Sequence, residues 1–204
     1  LKPFLIGVAG LSGSGKTALA RKLAPHLHSE VLTLDAYYHP QSHLSLEARA
    51  KLNYDHPDAL DWPLLASNLA ALSRGDSIDE PIYLFDQHTR AASTRRIDPQ
   101  PILIVEGILA LHHPDVRRLL DLSVFVTTRD EECLRRRLER DIAERGRTRE
   151  SVLEQYTSTV WPMALQYVLP SREFADLVVS GEEPLDESAA AVLRILQTEH
   201  AATA

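Results

Sequence analysis

Phe4-Leu5-Ile6-Gly7-Val8-Ala9-Gly10-Leu11-Ser12-Gly13-Ser14-Gly15-Lys16-Thr17 is the stretch that decides the architecture of this chain. Its first six residues are apolar or glycine and read as a buried strand. Its last eight fit G-x-x-x-x-G-K-[ST] in full. A helical pattern follows over residues 16–27. Glycines let successive backbone N–H groups turn inward around a phosphate. The helix N-terminus adds partial positive charge. Lys16 is placed to reach β- and γ-phosphates, and the Thr17 hydroxyl to ligate Mg²⁺. A glycine turn that binds nothing is the competing explanation, and the flanking strand and helix weigh against it. The phosphate-holding candidates are therefore Gly10, Ser12, Gly13, Ser14, Gly15, Lys16 and Thr17.

Outward from this loop, strand and helix patterns alternate. Strands are expected over residues 31–34, 101–105, 122–126 and 177–179, and helices over 61–73, 130–145, 149–160 and 186–197. A helical turn is expected near residues 46–52 and a small hairpin over 78–90. Asp61 reads as an N-cap with Pro63 in the first turn. In the 130–145 helix, Leu134, Leu138 and Ile142 recur at a spacing of four and read as its apolar face. Several strands are apolar throughout, which marks a parallel sheet covered on both faces. The fold class is α/β, a five-stranded parallel sheet with a hairpin insertion and a helical lid. One domain is expected over residues 1–204, with acceptor-binding insertions near 36–60 and 76–92 and the lid near 136–149.

Composition narrows the function. The chain has 204 residues, 44% hydrophobic and 25% charged, ordinary for a soluble globular protein. The longest apolar runs are strand-sized, far short of the ~20 residues of a membrane span. A single cysteine, Cys133, permits no internal disulfide, and the N-terminus turns glycine-rich too early for a secretory signal. Both point to a reducing cytoplasm. The net charge of −7 argues against nucleic-acid or anionic-membrane partners. Against that acidic background, seven arginines fall between Arg135 and Arg149, a cationic patch suited to a small anionic ligand.

Asp35 is expected to end the second strand, where ligands of open parallel sheets bind. A carboxylate there can take a proton from an attacking hydroxyl, hold Mg²⁺, or both; a turn or cap aspartate is the plainer alternative. Glu106 ends the third strand and is the second carboxylate on the metal side, or else a structural hydrogen-bond partner of the glycine loop. Three stretches, 35–38, 53–61 and 81–90, are dense in aromatic and hydrogen-bonding side chains. Such mixtures suit a ring with polar edges joined to a sugar, though core packing explains any single aromatic equally well.

Arg136, Arg137 and Arg140 lie within about one helical turn, and Arg145 and Arg147 flank Gly146. Glu139, Asp141 and Glu144 interleave, so a solvated, salt-bridged face is the plain explanation. Beside a phosphate loop the cationic segment reads as a lid that closes over ATP, neutralises charge and excludes water.

Together these segments resemble the uridine kinase (uridine–cytidine kinase) family from about residue 4 to 179. The motifs that carry the resemblance are the glycine loop, Leu34-Asp35, Asn53-Tyr54-Asp55-His56-Pro57, Pro81-x-Tyr83 with His88-x-Arg90, Val105-Glu106-Gly107, Arg140-Asp141-Ile142-x-Glu144-Arg145-Gly146-Arg147, and Ala175-Asp176. The resemblance implies ATP- or GTP-dependent 5′-phosphorylation of uridine and cytidine. Asp35 would be the base, with Lys16, Arg140 and Arg145 assisting phosphoryl transfer. Asp55 would bind ribose, supported by Arg137, Arg147 and Gln155. Tyr83 and His88 would read the base, with Tyr38 and Phe85 shaping the pocket. Thr17, Glu106 and Asp35 would serve Mg²⁺. A homotetramer and feedback inhibition by CTP or UTP are also what the resemblance implies. The chain departs from the family at Ala36, Tyr37 and Tyr54, and its 180–183 segment holds one glycine where more are expected. The rivals are a kinase of the same fold for another alcohol, such as pantothenate or a sugar phosphate, and a regulatory P-loop ATPase. The latter lacks an Asn/Thr-Lys-x-Asp guanine-reading motif.

Overall fold

Five strands, β1 (Phe4–Gly10), β2 (Val31–Thr33), β5 (Ile102–Glu106), β6 (Leu122–Thr127) and β7 (Leu177–Ser180), form a parallel sheet in the order β2-β5-β1-β6-β7. The computed structural model describes residues 3–203. Side chains of successive strand residues point to opposite faces. Leu5, Leu103, Val105 and Phe125 accordingly join one core, and Ile6, Val8, Ile104 and Val124 the other. Helix α1 (Lys16–Leu27) and the closing helix α8 (Leu185–Thr203) cover the second face with Leu19, Leu23, Val192 and Leu196. Helix α3 (Trp62–Ser73) covers the first with Leu65, Leu69 and Leu72. Each fully buried Leu or Val contributes roughly 1.5–3 kcal/mol relative to exposure, so both faces of β1 must be sheathed, and they are.

The expected elements appear with informative shifts. Strand β2 stops at Thr33, and Leu34–Tyr37 forms a tight 3₁₀ turn, so Asp35 lies in a turn beyond the strand rather than at its end. Helix α2 (Leu46–Ala50) is the helical turn expected there. Asp61 caps α3 by accepting from the Leu64 N–H at 3.2 Å. The hairpin forms a separate two-stranded sheet, β3 (Ile78–Leu84) with β4 (Thr89–Ile97), longer than foreseen. Its register shifts between Pro81 and Tyr83, at a residue with no N–H to donate. A short helix α4 (Pro114–Arg117), capped by His113, has no periodicity by which to find it.

Helix α5 (Asp130–Arg145) matches its expected bounds, but its buried face does not. The residues turned inward are Cys133, Arg137, Leu138 and Asp141, whereas Ile142 is exposed. The inward row at spacing four is thus 133-137-141, because this helix packs against the polar glycine loop. After α6 (Arg149–Gln155) the chain stays helical through α7 (Trp161–Met163), where the sequence reading ended near residue 160. Widened turns flank α7: Trp161 N–H bonds to Tyr156 O, and Leu169 N–H to Ala164 O, five residues back. Pro162 and Pro170 carry no N–H, so each interrupts the ordinary four-residue ladder.

Candidate active site

The strand order reverses at β1: β5 and β2 lie to one side, β6 and β7 to the other. Ligands of such sheets sit beyond the carboxyl ends of the strands at this switch, and the glycine loop occupies that position. Gly13 has φ of 87°, and a Cβ there would lie 2.3 Å from the Cys133 carbonyl oxygen of α5. Only glycine lets the loop pass this close to the helix. Ser14 is fully buried, and its carbonyl accepts from Thr128 Oγ1 at 2.9 Å. Gly15 caps the N-terminus of α1, and Lys16 and Thr17 open that helix.

A cavity of about 730 Å³ opens in front of this loop. Ser12, Lys16, Thr17 and Glu106 line it on the phosphate side. Asp35, Tyr38, Asp55, Tyr83, Phe85 and His88 line it as well, and Arg137, Arg140, Arg145, Arg147 and Gln155, from α5, α6 and the turn between them, give it a cationic roof. Of the residues singled out from the sequence, Gly10, Gly13, Ser14 and Gly15 do not line it; they shape the loop behind.

Three elements place the carboxylates. Register pairing sets Thr33 of β2 beside Glu106 of β5. Thr33 Oγ1 donates to Glu106 Oε1 at 3.2 Å, and Thr17 Oγ1 donates to Oε2 at 3.1 Å. Glu106 is therefore bonded to the loop's own helix, the structural role left open by the sequence, while facing the cavity as well. Burial holds its carboxyl above the usual range; Lys16 opposes this and the Asp35 charge adds to it. Asp55 is likewise raised by burial, with Arg137 pulling the other way. Among the described residues no group of three His, Cys, Asp or Glu side chains is gathered as a metal site, but Glu106 and the Thr17 hydroxyl, 3.1 Å apart at the cavity, form a hard-oxygen pair of the kind a divalent cation takes.

The acceptor wall is aromatic. Tyr38 meets Tyr54 and Tyr83 edge-on, with ring centroids 5.1 and 5.2 Å apart. Tyr54 stacks on His88 at 5.6 Å and an interplanar angle of 21°. Phe85 stands at the rim against Tyr83. His88 sits at a left-handed φ of 48° in the hairpin turn. Burial lowers its pKa, and Arg147, Arg49 and Arg145 reinforce that, so its ring is neutral near pH 7. Tyr38 is pushed up by burial and by the Asp35 and Asp55 charges. The Tyr54–His88 stack was not foreseen from the sequence, where Tyr54 stands in the 53–57 motif and as a departure from the family. Arg90 turns away from the cavity: it donates to the Tyr37 carbonyl at 2.8 Å and pairs with Asp61, pinning the hairpin.

In the roof, Arg137 donates to Ser12 Oγ at 2.8 Å and to Gln155 Oε1 at 2.8 Å. Arg147 donates to the same Gln155 oxygen. Arg135 fits the plain salt-bridged reading: it pairs with Glu132 and Glu139 and faces solvent. Arg136 reaches across to the Gly181 carbonyl at 2.9 Å. A second hollow of about 240 Å³, lined by Gly15, Ala18, Arg136, Gly181 and Ser188 among others, adjoins the loop there.

A glycine loop at the switch point of a five-stranded parallel sheet, with lysine, threonine and two carboxylates converging on one cavity, defines a P-loop kinase. The chain belongs to the phosphoribulokinase/uridine kinase family, whose model matches residues 5–184. It is similar to the uridine kinase of Shewanella amazonensis, 48% identical over 182 residues and 86% of each chain. The uridine kinase of Shewanella oneidensis is 46% identical over the same share of both. In fold it resembles the phosphoribulokinase of Rhodobacter spheroides, with TM-score 0.65, 16% identity, and coverage of 90% of this chain and 74% of that one. D-glycerate 3-kinase of Cryptococcus neoformans is similar too, with TM-score 0.63, 18% identity, and coverage of 90% and 88%.

Proposed function

We propose that this kinase transfers the γ-phosphoryl group of ATP to the 5′-hydroxyl of uridine and cytidine, giving UMP and CMP. One observation carries the reading: Lys16 and Asp35 line the same cavity as Tyr38, Asp55, Tyr83, Phe85 and His88. The aromatic rings and the imidazole suit an uncharged heterocycle, and the Asp55 carboxylate among them suits the hydroxyls of a sugar. The curated relatives named uridine kinase support the same acceptor class.

In this reading the loop N–H groups and Lys16 hold the β- and γ-phosphates. The adenine fits the hollow beside Gly15 and Arg136. Asp55 binds the ribose hydroxyls, held in place electrostatically by Arg137. Tyr83 and His88 meet the polar edge of the base, and the neutral ring of His88 can both donate and accept, which suits uridine and cytidine alike. Asp35 accepts the proton of the attacking 5′-hydroxyl. Arg140 and Arg145 stabilise the charge that spreads over the γ-oxygens. Thr17, Glu106 and Asp35 would hold Mg²⁺, which neutralises phosphate charge when bound. Closure of the arginine roof would exclude water and favour transfer over hydrolysis. Among the described residues no helix is long and apolar enough to cross a membrane. Assembly as a tetramer is part of the same proposal and is read by light scattering.

The test is ADP formation from ATP with and without each member of a nucleoside panel, with products identified by mass. Uridine- and cytidine-dependent ADP and the two 5′-monophosphates are expected. Equal hydrolysis with and without acceptor, or turnover only with a non-nucleoside alcohol, would overturn the reading.

A further inference from the structure

Asp141 alternates with Glu139 and Arg140 on a helix whose sequence reads as a solvated face, yet it is fully buried. Its Oδ1 accepts from Arg140 Nε at 2.9 Å and Nη2 at 2.8 Å and lies 3.4 Å from Arg145 Nη1. Its Oδ2 lies 3.6 Å from Arg137 Nε and 3.7 Å from Arg147 Nη1, making no hydrogen bond. Its backbone carbonyl accepts the N–H groups of Gly146 and Arg147, so the same residue also closes the end of α5. Four guanidinium groups thus surround one carboxylate.

Four like charges on long side chains repel one another and, left alone, spread into water. One carboxylate offers about four lone-pair sites, enough to gather them. Arg137 is thereby locked against Ser12 of the glycine loop, whereas Arg140, Arg145 and Arg147 keep side-chain exposures of 32, 31 and 25%. These three line the cavity with donors to spare. A guanidinium has five N–H groups, and Asp141 engages only some of them.

We propose that Asp141 is the positioning residue of the cationic roof: it holds the guanidinium groups as a fixed array whose remaining donors recognise the third phosphate of a nucleoside triphosphate. Asp141 touches neither substrate; it acts through the arginines. The proposal rests on the reading that the donor triphosphate lies between the glycine loop and this roof. It places the distinction between ATP and ADP in one buried carboxylate.

The test compares dissociation constants of MgATP and MgADP by calorimetry on the full chain and its Asp141→Asn variant. ADP lacks the phosphate that faces this array and is held by the loop and the adenine hollow, so its affinity is expected to stay within about twofold. ATP is expected to weaken by roughly tenfold or more, the size of a lost charge-assisted hydrogen bond. Equal weakening of both ligands would reveal a merely structural residue and overturn the proposal. Unchanged ATP binding would overturn it, and so would tighter ATP binding, which would mean the carboxylate competes with phosphate. Should Asp141→Asn not fold, the same pair of constants is read in Asp141→Glu, which keeps the charge but displaces it. There ATP is expected to weaken about threefold with ADP unchanged, and wild-type ATP binding overturns the proposal. Because both measurements omit the acceptor, failure of the wild type to phosphorylate uridine would refute the acceptor reading and leave this comparison intact.

Discussion

Arg137 Nη1 donates to Ser12 Oγ at 2.8 Å, tying the middle of α5 to the glycine loop that lies far away in sequence. Arg137 is 5% exposed, and its second terminal nitrogen holds Gln155. One side chain therefore joins the phosphate loop, the arginine helix and the start of the long helical return.

Breaking a buried ion pair by removing one partner typically costs about 3–5 kcal/mol. Arg137→Ala leaves Asp141 and Asp55 short of a cation, and its desolvation already holds the arginine's own pKa down. A loss of stability of that order is expected, together with a large fall in turnover. Urea unfolding with parallel activity on the folded fraction checks it.

Asp35→Asn is expected to keep nucleotide affinity within a few-fold while reducing turnover by roughly 10²–10⁴, the range assigned to a positioned general base. Calorimetric binding of a non-hydrolysable ATP analogue, set beside uridine-dependent ADP release, separates the two. Near-normal turnover in the variant would remove Asp35 as the base.

Tyr83→Phe deletes the phenolic hydroxyl that the proposed function sets against the base and leaves the ring packing against Tyr38. A neutral hydrogen bond contributes about 0.5–1.5 kcal/mol. The KM for uridine is accordingly expected to rise roughly two- to twelvefold, with kcat little changed. Steady-state kinetics at saturating ATP reads both constants.

His112 is held below its ordinary pKa by burial, and His113, Arg117 and His56 reinforce this. Below about pH 6.5 the unfolded chain binds a proton at this position that the folded protein resists, so its contribution to stability falls as pH falls. Carboxylates such as Asp55 and Glu106 are shifted upward and act in the opposite direction. A difference between proteins isolates the histidine. Wild type is expected to lose melting temperature relative to His112→Gln between pH 7.5 and 5.5, read by thermal denaturation; parallel curves would remove His112 as the source.

Gly181 is the single glycine of the segment after β7. A Cβ on it would lie 1.9 Å from the Ser14 carbonyl oxygen of the glycine loop, a backbone atom that cannot step aside. Gly181→Ala is expected to lose about 1–3 kcal/mol, as overpacking does, and to weaken ATP binding. Thermal melts and nucleotide titration report the two effects.

The sheet was legible because its strands are buried on both faces and read as unbroken apolar runs, and because the glycine loop marks where β1 ends. Lys16, Asp35 and the arginines were legible from residue type and position, Asp55 and His88 through the family resemblance, and the fold gathers all of them around one cavity. The inward face of α5 was not legible. Leu134, Leu138 and Ile142 have the right period, but the neighbour they would need is apolar, and the glycine loop offers hydroxyls instead. Hydrophobic pattern therefore placed Leu138 correctly and Ile142 wrongly, and Asp141 was grouped with solvated acids. The helical return beyond residue 160 escaped notice because Pro162 and Pro170 read as breaks, whereas the chain absorbs them by widening a turn.

Tyr83, Phe85 and His88 ride on a two-stranded ribbon that shares no ladder with the main sheet. Its attachments run through Arg90 to Tyr37 and Asp61, and through Arg95 to Glu30 and Val31. Its base is fixed by Ile78 and Ile97, which join the main core, so it is the loop end, with Phe85 and His88, that is free to drift in composition. Grafting it from a relative with different tastes is a route to a kinase of altered appetite on an unaltered chassis.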